Sequence, residues 1–218
     1  MRKTEFANGE YYHIYNRGVD KREVFLGGKD YERFILGMNE FNDEKLVGSL
    51  RDKQKQEKQK LSFGLARSLA SVSPLVEIVA YCLNPNHYHF MLKQSKNKGV
   101  EKFMHRMGTS YTKYFNIKHE RSGSLFQGPF KSIHINSNEY LLLLSAYVNA
   151  NHEIHGFLEK DWPYSSFLDY TGKRDGKLCN KEIILGQFDN NFGEYEKYIK
   201  NNADYFREKK ELEEYILE

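Results

Sequence analysis

The sequence predicts an α+β fold: a ferredoxin-like, RRM-like split βαβ with a central antiparallel sheet, one further helix after the core and a helical C-terminal tail. Three observations predict it. β-rich runs and helical patterns follow one another in the order β-α-(insertion)-β-β-α-β-α. The runs "LVEIVAYCLN" and "HYHFMLKQ" flank the turn signal Asn84-Pro85-Asn86 and so read as a hairpin. In a chain of 218 residues, 39% hydrophobic content with 15% aromatic suffices to bury a core.

Taken in order, "YYHIYNRG" has the aromatic and β-branched content of a strand, and Asn16-Arg17-Gly18 ends it in a turn. In "DYERFILGMNEFN", Phe34, Ile35, Met38 and Phe41 recur at helical spacing after Asp30, the expected N-cap. Residues 45–73 change character: "RDKQKQEKQK" holds five basic and two acidic residues, which predicts a solvated helical insertion or arm. After the hairpin, Phe103, Met107, Tyr111 and Tyr114 or Phe115 mark the apolar side of a helix from about Val100 to Asn116. Gly123 to Ile135 reads as an extended segment or hairpin, and Asn138 as the cap of a helix through Ala150, "EYLLLLSAYVNA".

The formal charge of +3 is unevenly spread. Residues 189–218 carry nine acidic and five basic side chains, which leaves +7 on residues 1–188. A basic body suits a polyanion such as nucleic acid. No segment approaches the roughly eighteen apolar residues of a membrane span, and the expectation is a cytoplasmic protein with no membrane partner. Cys82 and Cys179 form no CxxC pair, so neither a disulfide framework nor a thiolate metal site is expected.

In "NPNHYHFML" the strand period puts His87 and His89 on one face, a geometry that permits two imidazoles to hold one ion. A third ligand is needed. No Asp or Glu lies between Ile78 and Val100, against a local carboxylate-rich site. Cys82 is read as having the opposite parity, on the other arm of the hairpin. The better candidate is on the last core helix, where Tyr147 and Asn151 stand at i and i+4 on one face if the helix extends that far.

"NPNHYHFML", "GTSYTKYFN", "GSLFQGPFKS", "YLLLLSAYVNANHEIHGF" and "DWPYSSF" occur in the order seen in the HUH single-tyrosine transposases. Over roughly residues 8–170 the chain resembles the REP-associated tyrosine transposases of that superfamily. The resemblance makes 1–170 an HUH single-tyrosine transposase or nuclease domain and 171–218 a helical C-terminal extension. It implies metal-dependent nicking and strand transfer on single-stranded or hairpin DNA, through a 5′-phosphotyrosine. In these roles Tyr147 is the nucleophile on the catalytic helix, and His87, His89 and Asn151 hold a divalent Mg or Mn ion. A homodimer is compatible with it. Arg17, Arg106, Lys113, Arg121 and Lys131 are candidate phosphate contacts. Tyr111, Tyr114 and Phe115 read as core rather than base-stacking residues.

Pro129 and His152 depart from the family pattern. Pro129 replaces a basic residue, and His152 replaces the Pro that follows the Asn, which lets the helix run past Asn151. His105, His119, His134, His152 and His155 match no partner pattern. Two other classes stay open: a DNA- or RNA-hairpin-binding module without strand transfer, and a structural zinc protein.

Overall fold

The computed structural model describes residues 4–44, 73–157 and 161–216. The charged insertion read at 45–73 lies, apart from Ser73, outside them. Strands β1 (Tyr11–Arg17), β2 (Val76–Asn84), β3 (His87–Gln94) and β4 (Lys131–Ile135) form one sheet in the order β2-β3-β1-β4. All three neighbouring pairs are antiparallel. Six helices accompany the sheet among the described residues: α1 (Gly28–Glu40), α2 (Gly99–Lys118), α3 (Asn138–Ile154), α4 (Phe167–Tyr170), α5 (Glu182–Leu185) and α6 (Phe192–Ile216). This is the predicted split βαβ, with β1 threaded between β3 and β4.

Side-chain alternation gives the sheet two faces. Tyr88 and Phe90 of β3 point toward α1 and α2, where the Phe34 ring lies 5.5 Å from Tyr88 and 4.8 Å from Tyr111. Phe34 and Phe90 are almost fully buried, and each such side chain contributes about 2–3 kcal/mol by leaving water. Tyr111 and Phe115 are buried there too, as their helical spacing predicts. The odd-numbered positions of β1 and β3 are left to face α3. Opposed residues share a face across an antiparallel ladder, so the pairs Ile14–Phe90 and Tyr15–His89 carry this division from strand to strand.

Two close approaches require glycine. A Cβ on Gly18 would sit 2.2 Å from the Arg22 carbonyl oxygen, and one on Gly99 would sit 2.1 Å from that of Leu75. The first lets β1 turn sharply, and the second lets α2 start against the head of β2.

Helix boundaries differ from expectation for identifiable reasons. Asp30 is not the N-cap of α1, which starts at Gly28; from the third helical position its carboxylate accepts the Leu26 N–H at 3.0 Å. The same carboxylate receives Lys118 and Tyr114 of α2, so it ties two helices together. Ser137, not Asn138, caps α3, its Oγ accepting the Tyr140 N–H at 3.1 Å. Of the segment Gly123 to Ile135 only Lys131–Ile135 is a strand, and Phe126 in the preceding loop bridges to Gly18.

The chain after α3 packs back on the core. Tyr195 of α6 is fully buried against α3, donating to Ser145 Oγ at 2.8 Å and accepting from Asn149 Nδ2 at 3.1 Å. Arg174 grips both oxygens of Asp169 at 2.8 and 2.7 Å and the Pro163 carbonyl at 2.7 Å. The outer edge of β2 is covered by this segment through Leu83 N–H to Tyr164 O at 3.0 Å and Ser166 N–H to Tyr81 O at 2.9 Å.

Candidate functional site

α3 crosses the sheet face that carries the odd-numbered residues of β3. Because α3 continues through Ile154, Asn151 is helical and lies one turn beyond Tyr147 on the same face. Asn151 Oδ1 stands 3.1 Å from His87 Nε2, and the Tyr147 ring meets the His89 ring edge-on at 5.5 Å. The His87 and His89 rings are 5.2 Å apart and nearly perpendicular. Thus His87, His89, Tyr147 and Asn151, read from two separate motifs, converge. Tyr147, His87 and His89 line an open cleft of about 270 Å³, shared with Tyr15, Asn16, Arg17, Gln127, Lys131 and His155. Asn151 is fully buried behind it.

Hydrogen bonds set which imidazole nitrogen faces inward. Asn86 Nδ2 donates to the Lys21 carbonyl at 3.1 Å, so Asn86 Oδ1 faces His87 Nδ1 at 2.5 Å. The proton therefore sits on Nδ1, and His87 Nε2 keeps its lone pair. For His89 the partner is His13 of β1, whose Nε2 lies 2.8 Å from His89 Nδ1. One proton serves that contact, and placing it on His89 Nδ1 leaves His89 Nε2 an acceptor. Burial lowers His13 from 6.5 to about 4. Burial, reinforced by His13, His87 and His155, holds His89 well below the usual histidine range. His89 is therefore neutral at neutral pH, the state a metal ligand needs.

The donor set fits a divalent cation. His87 Nε2 and Asn151 Oδ1 are two acceptors in contact, and Asn151 Nδ2 is buried without a hydrogen-bond partner among the described residues. No group of three His, Cys, Asp or Glu side chains among those residues is arranged to hold an ion, so a metal here depends on the Asn151 amide. Cys82 corrects an expectation: its parity matches that of the histidines, since the β2–β3 register pairs Cys82 with His89 and Asn84 with His87. Parity read along one strand does not transfer through a turn. Burial pushes the Cys82 thiol up, so it stays protonated.

The candidate phosphate contacts separate into three groups. Arg17 and Lys131 line the cleft, and Arg17 Nε is buried with no hydrogen-bond partner among the described residues. Arg106 instead donates to the Phe41 and Asp43 carbonyls, and Arg121 to Asn116 Oδ1 at 2.9 Å and the Ser124 carbonyl at 3.2 Å. Lys113 is exposed on α2, across the sheet from α3. Residues missed in the sequence include His13, Tyr15, Asn84, Gln127 and His155. The same strand period that pairs His87 with His89 aligns His13 with Tyr15. His155, the C-cap residue of α3, has its ring 4.5 Å from that of His87.

Residues 55–151 match the family described as "Transposase IS200 like". Over that segment the chain is similar to the IS200-like transposases. A solved structure, described as the REP-associated tyrosine transposase bound to a REP hairpin, superposes with a TM-score of 0.50 at 14% identity. The match covers 83% of this chain and 93% of that one. The fold is therefore that of the REP-associated tyrosine transposases, and the resemblance carried by the sequence motifs is borne out. No curated protein matches significantly. No helix among the described residues is long and apolar enough to cross a membrane.

Proposed function

We propose that this protein is a transposase-like enzyme that binds a DNA hairpin, nicks its single-stranded flank and rejoins strands through Tyr147. The observation that carries the reading is the convergence of His87, His89, Asn151 and Tyr147 at one cleft flanked by Arg17 and Lys131. The hairpin in the related solved structure supports the substrate class.

Tyr147 Oη would attack the phosphorus, forming a phosphotyrosine bond to the 5′ side while the bond to the 3′ oxygen breaks. The Tyr147 proton is lost, and the departing 3′ oxygen gains one to become a free hydroxyl. Because the phosphodiester bond is conserved in the covalent enzyme, a later 3′ hydroxyl reverses the step without ATP. His87 Nε2, His89 Nε2 and Asn151 Oδ1 would hold Mg²⁺ or Mn²⁺. Such an ion supplies Lewis-acid charge against the developing negative charge on phosphate. Arg17 and Lys131 draw the strand in by charge, and half-buried Tyr147, wedged against His89 and Phe206, is held in one orientation.

The test is incubation with a labelled single-stranded hairpin library and Mn²⁺, then denaturing gels and peptide mapping. A metal-dependent adduct on the Tyr147 peptide, absent in Tyr147→Phe with hairpin affinity retained, is expected. Tight hairpin binding without any adduct in the unmodified protein would make it a binding module instead.

A further inference from the structure

We propose that Asn84 is a fourth ligand of the metal site, its amide holding the seat by hydrogen bonds until a cation displaces it. The inference rests on the metal-dependent reading above.

Asn84 ends β2, directly opposite His87 in the ladder, and is fully buried. Its Nδ2 lies 2.6 Å from Asn151 Oδ1 and 2.8 Å from His87 Nε2. Two of the three atoms that would hold the ion therefore receive hydrogen bonds from one amide nitrogen. Since Asn86 leaves His87 Nε2 without a proton, Nε2 and Asn151 Oδ1 oppose lone pair to lone pair at 3.1 Å. The partial positive charge of the Asn84 amide is what makes that approach tolerable. It occupies the electrostatic place of a cation.

The far end of the same amide meets a partner that permits reversal. Asn84 Oδ1 accepts from the Cys82 thiol at 3.5 Å, a weak bond, and sulfur accepts as well as donates. Turning the amide by half a rotation points Nδ2 at Cys82 Sγ and Oδ1 at the seat. The half-turn exchanges one weak bond for another at the thiol. At the seat it replaces a donor that repels a cation with an oxygen that binds one. The resulting set of two imidazoles and two amide oxygens suits Mg²⁺ or Mn²⁺ and remains neutral.

The experiment is Mn²⁺ titration of the full chain, wild type against Asn84→Leu, Asn84→Asp and His87→Ala, with affinity read by the loss of free Mn²⁺ signal in EPR. Asn84→Leu, similar in volume but without an oxygen, is expected to weaken Mn²⁺ about tenfold or more, and Asn84→Asp to tighten it. Unchanged or tighter binding in Asn84→Leu would overturn the proposal and make the amide only a competitor. Mg²⁺ titration of wild-type protein labelled with ¹⁵N at asparagine guards against a Leu variant that fails to fold. The side-chain amide signals of Asn84 and Asn151 should both shift, and an unmoved Asn84 signal beside a shifted Asn151 overturns the assignment. Failure of the underlying site is a different result: Mn²⁺ binding that is absent in wild type, or unaffected in His87→Ala, removes the metal-site reading and this proposal with it.

Discussion

His13 Nε2 stands 2.8 Å from His89 Nδ1, across neighbouring strands and two positions out of register, since the ladder partner of His13 is Met91. The contact fixes the ring of a candidate ligand from behind, leaving its other nitrogen to the cleft. Outer partners of this kind orient and polarise ligating imidazoles. His13→Leu should therefore weaken Mn²⁺ binding about 10- to 100-fold, and His13→Gln, which retains an acceptor, should recover part of it. Calorimetric titration with Mn²⁺ measures both. Equal affinity in all three proteins would sink this role for His13.

The two cleft cations and the two carbonyl-bound arginines should part company on substitution. Arg17→Ala and Lys131→Ala are each expected to lower the salt dependence of hairpin binding by about 0.7–0.9 in the log–log slope, one phosphate contact apiece. Arg106→Ala should leave the slope alone and instead destabilise the fold by about 1–3 kcal/mol, since it strands the Phe41 and Asp43 carbonyls. Fluorescence anisotropy across a salt series, with thermal melts alongside, separates the two behaviours.

His152 sits inside the last turn of α3, buried and stacked 6.4 Å from Trp162. Restoring proline with His152→Pro removes a helical N–H, crowds the preceding turn and empties the histidine's pocket. A loss of about 3 kcal/mol or more is expected in chemical denaturation. It would also unwind the turn that brings His155 to the cleft. A variant as stable as wild type would contradict this account of the helix end.

Asp30 gives a pH-dependent prediction with a definite sign. Burial pulls its carboxyl up, but hydrogen bonds from Lys118, the Leu26 N–H and Tyr114, with the Lys118 charge, outweigh burial and hold it below 3.8. A depressed carboxyl stabilises the fold above its unfolded-state value and loses that contribution as pH falls through the folded-state value. Asp30→Asn should therefore cost about 3 kcal/mol near neutrality. The gap from wild type should begin to close as pH drops below about 3.8. Denaturation series at pH 7 and pH 3 test it; an equal gap at both would assign the loss to packing.

Much of the fold was legible because its signals are local. The Asn84-Pro85-Asn86 turn, the strand period and the helical spacing of Phe103, Met107 and Tyr111 each act within one element, and each element formed. Boundaries were less legible: Asp30 acts from inside α1 and Ser137 displaces Asn138 as a cap, since either residue type suits either position until the chain's direction is set.

The sequence by itself determined that His87 and His89 share a face and that Tyr147 and Asn151 share another, since strand and helix periods follow from backbone sterics. Only the tertiary structure decided that these two faces meet, that His13 backs His89, that Asn84 bridges His87 to Asn151, that Arg106 turns to backbone carbonyls, and that Arg121 turns to the Asn116 amide oxygen and the Ser124 carbonyl. The physical reason is that periodicity fixes direction along an element, whereas contact across elements depends on ladder register and on where a helix crosses the sheet. Both are set by the packing of the whole chain.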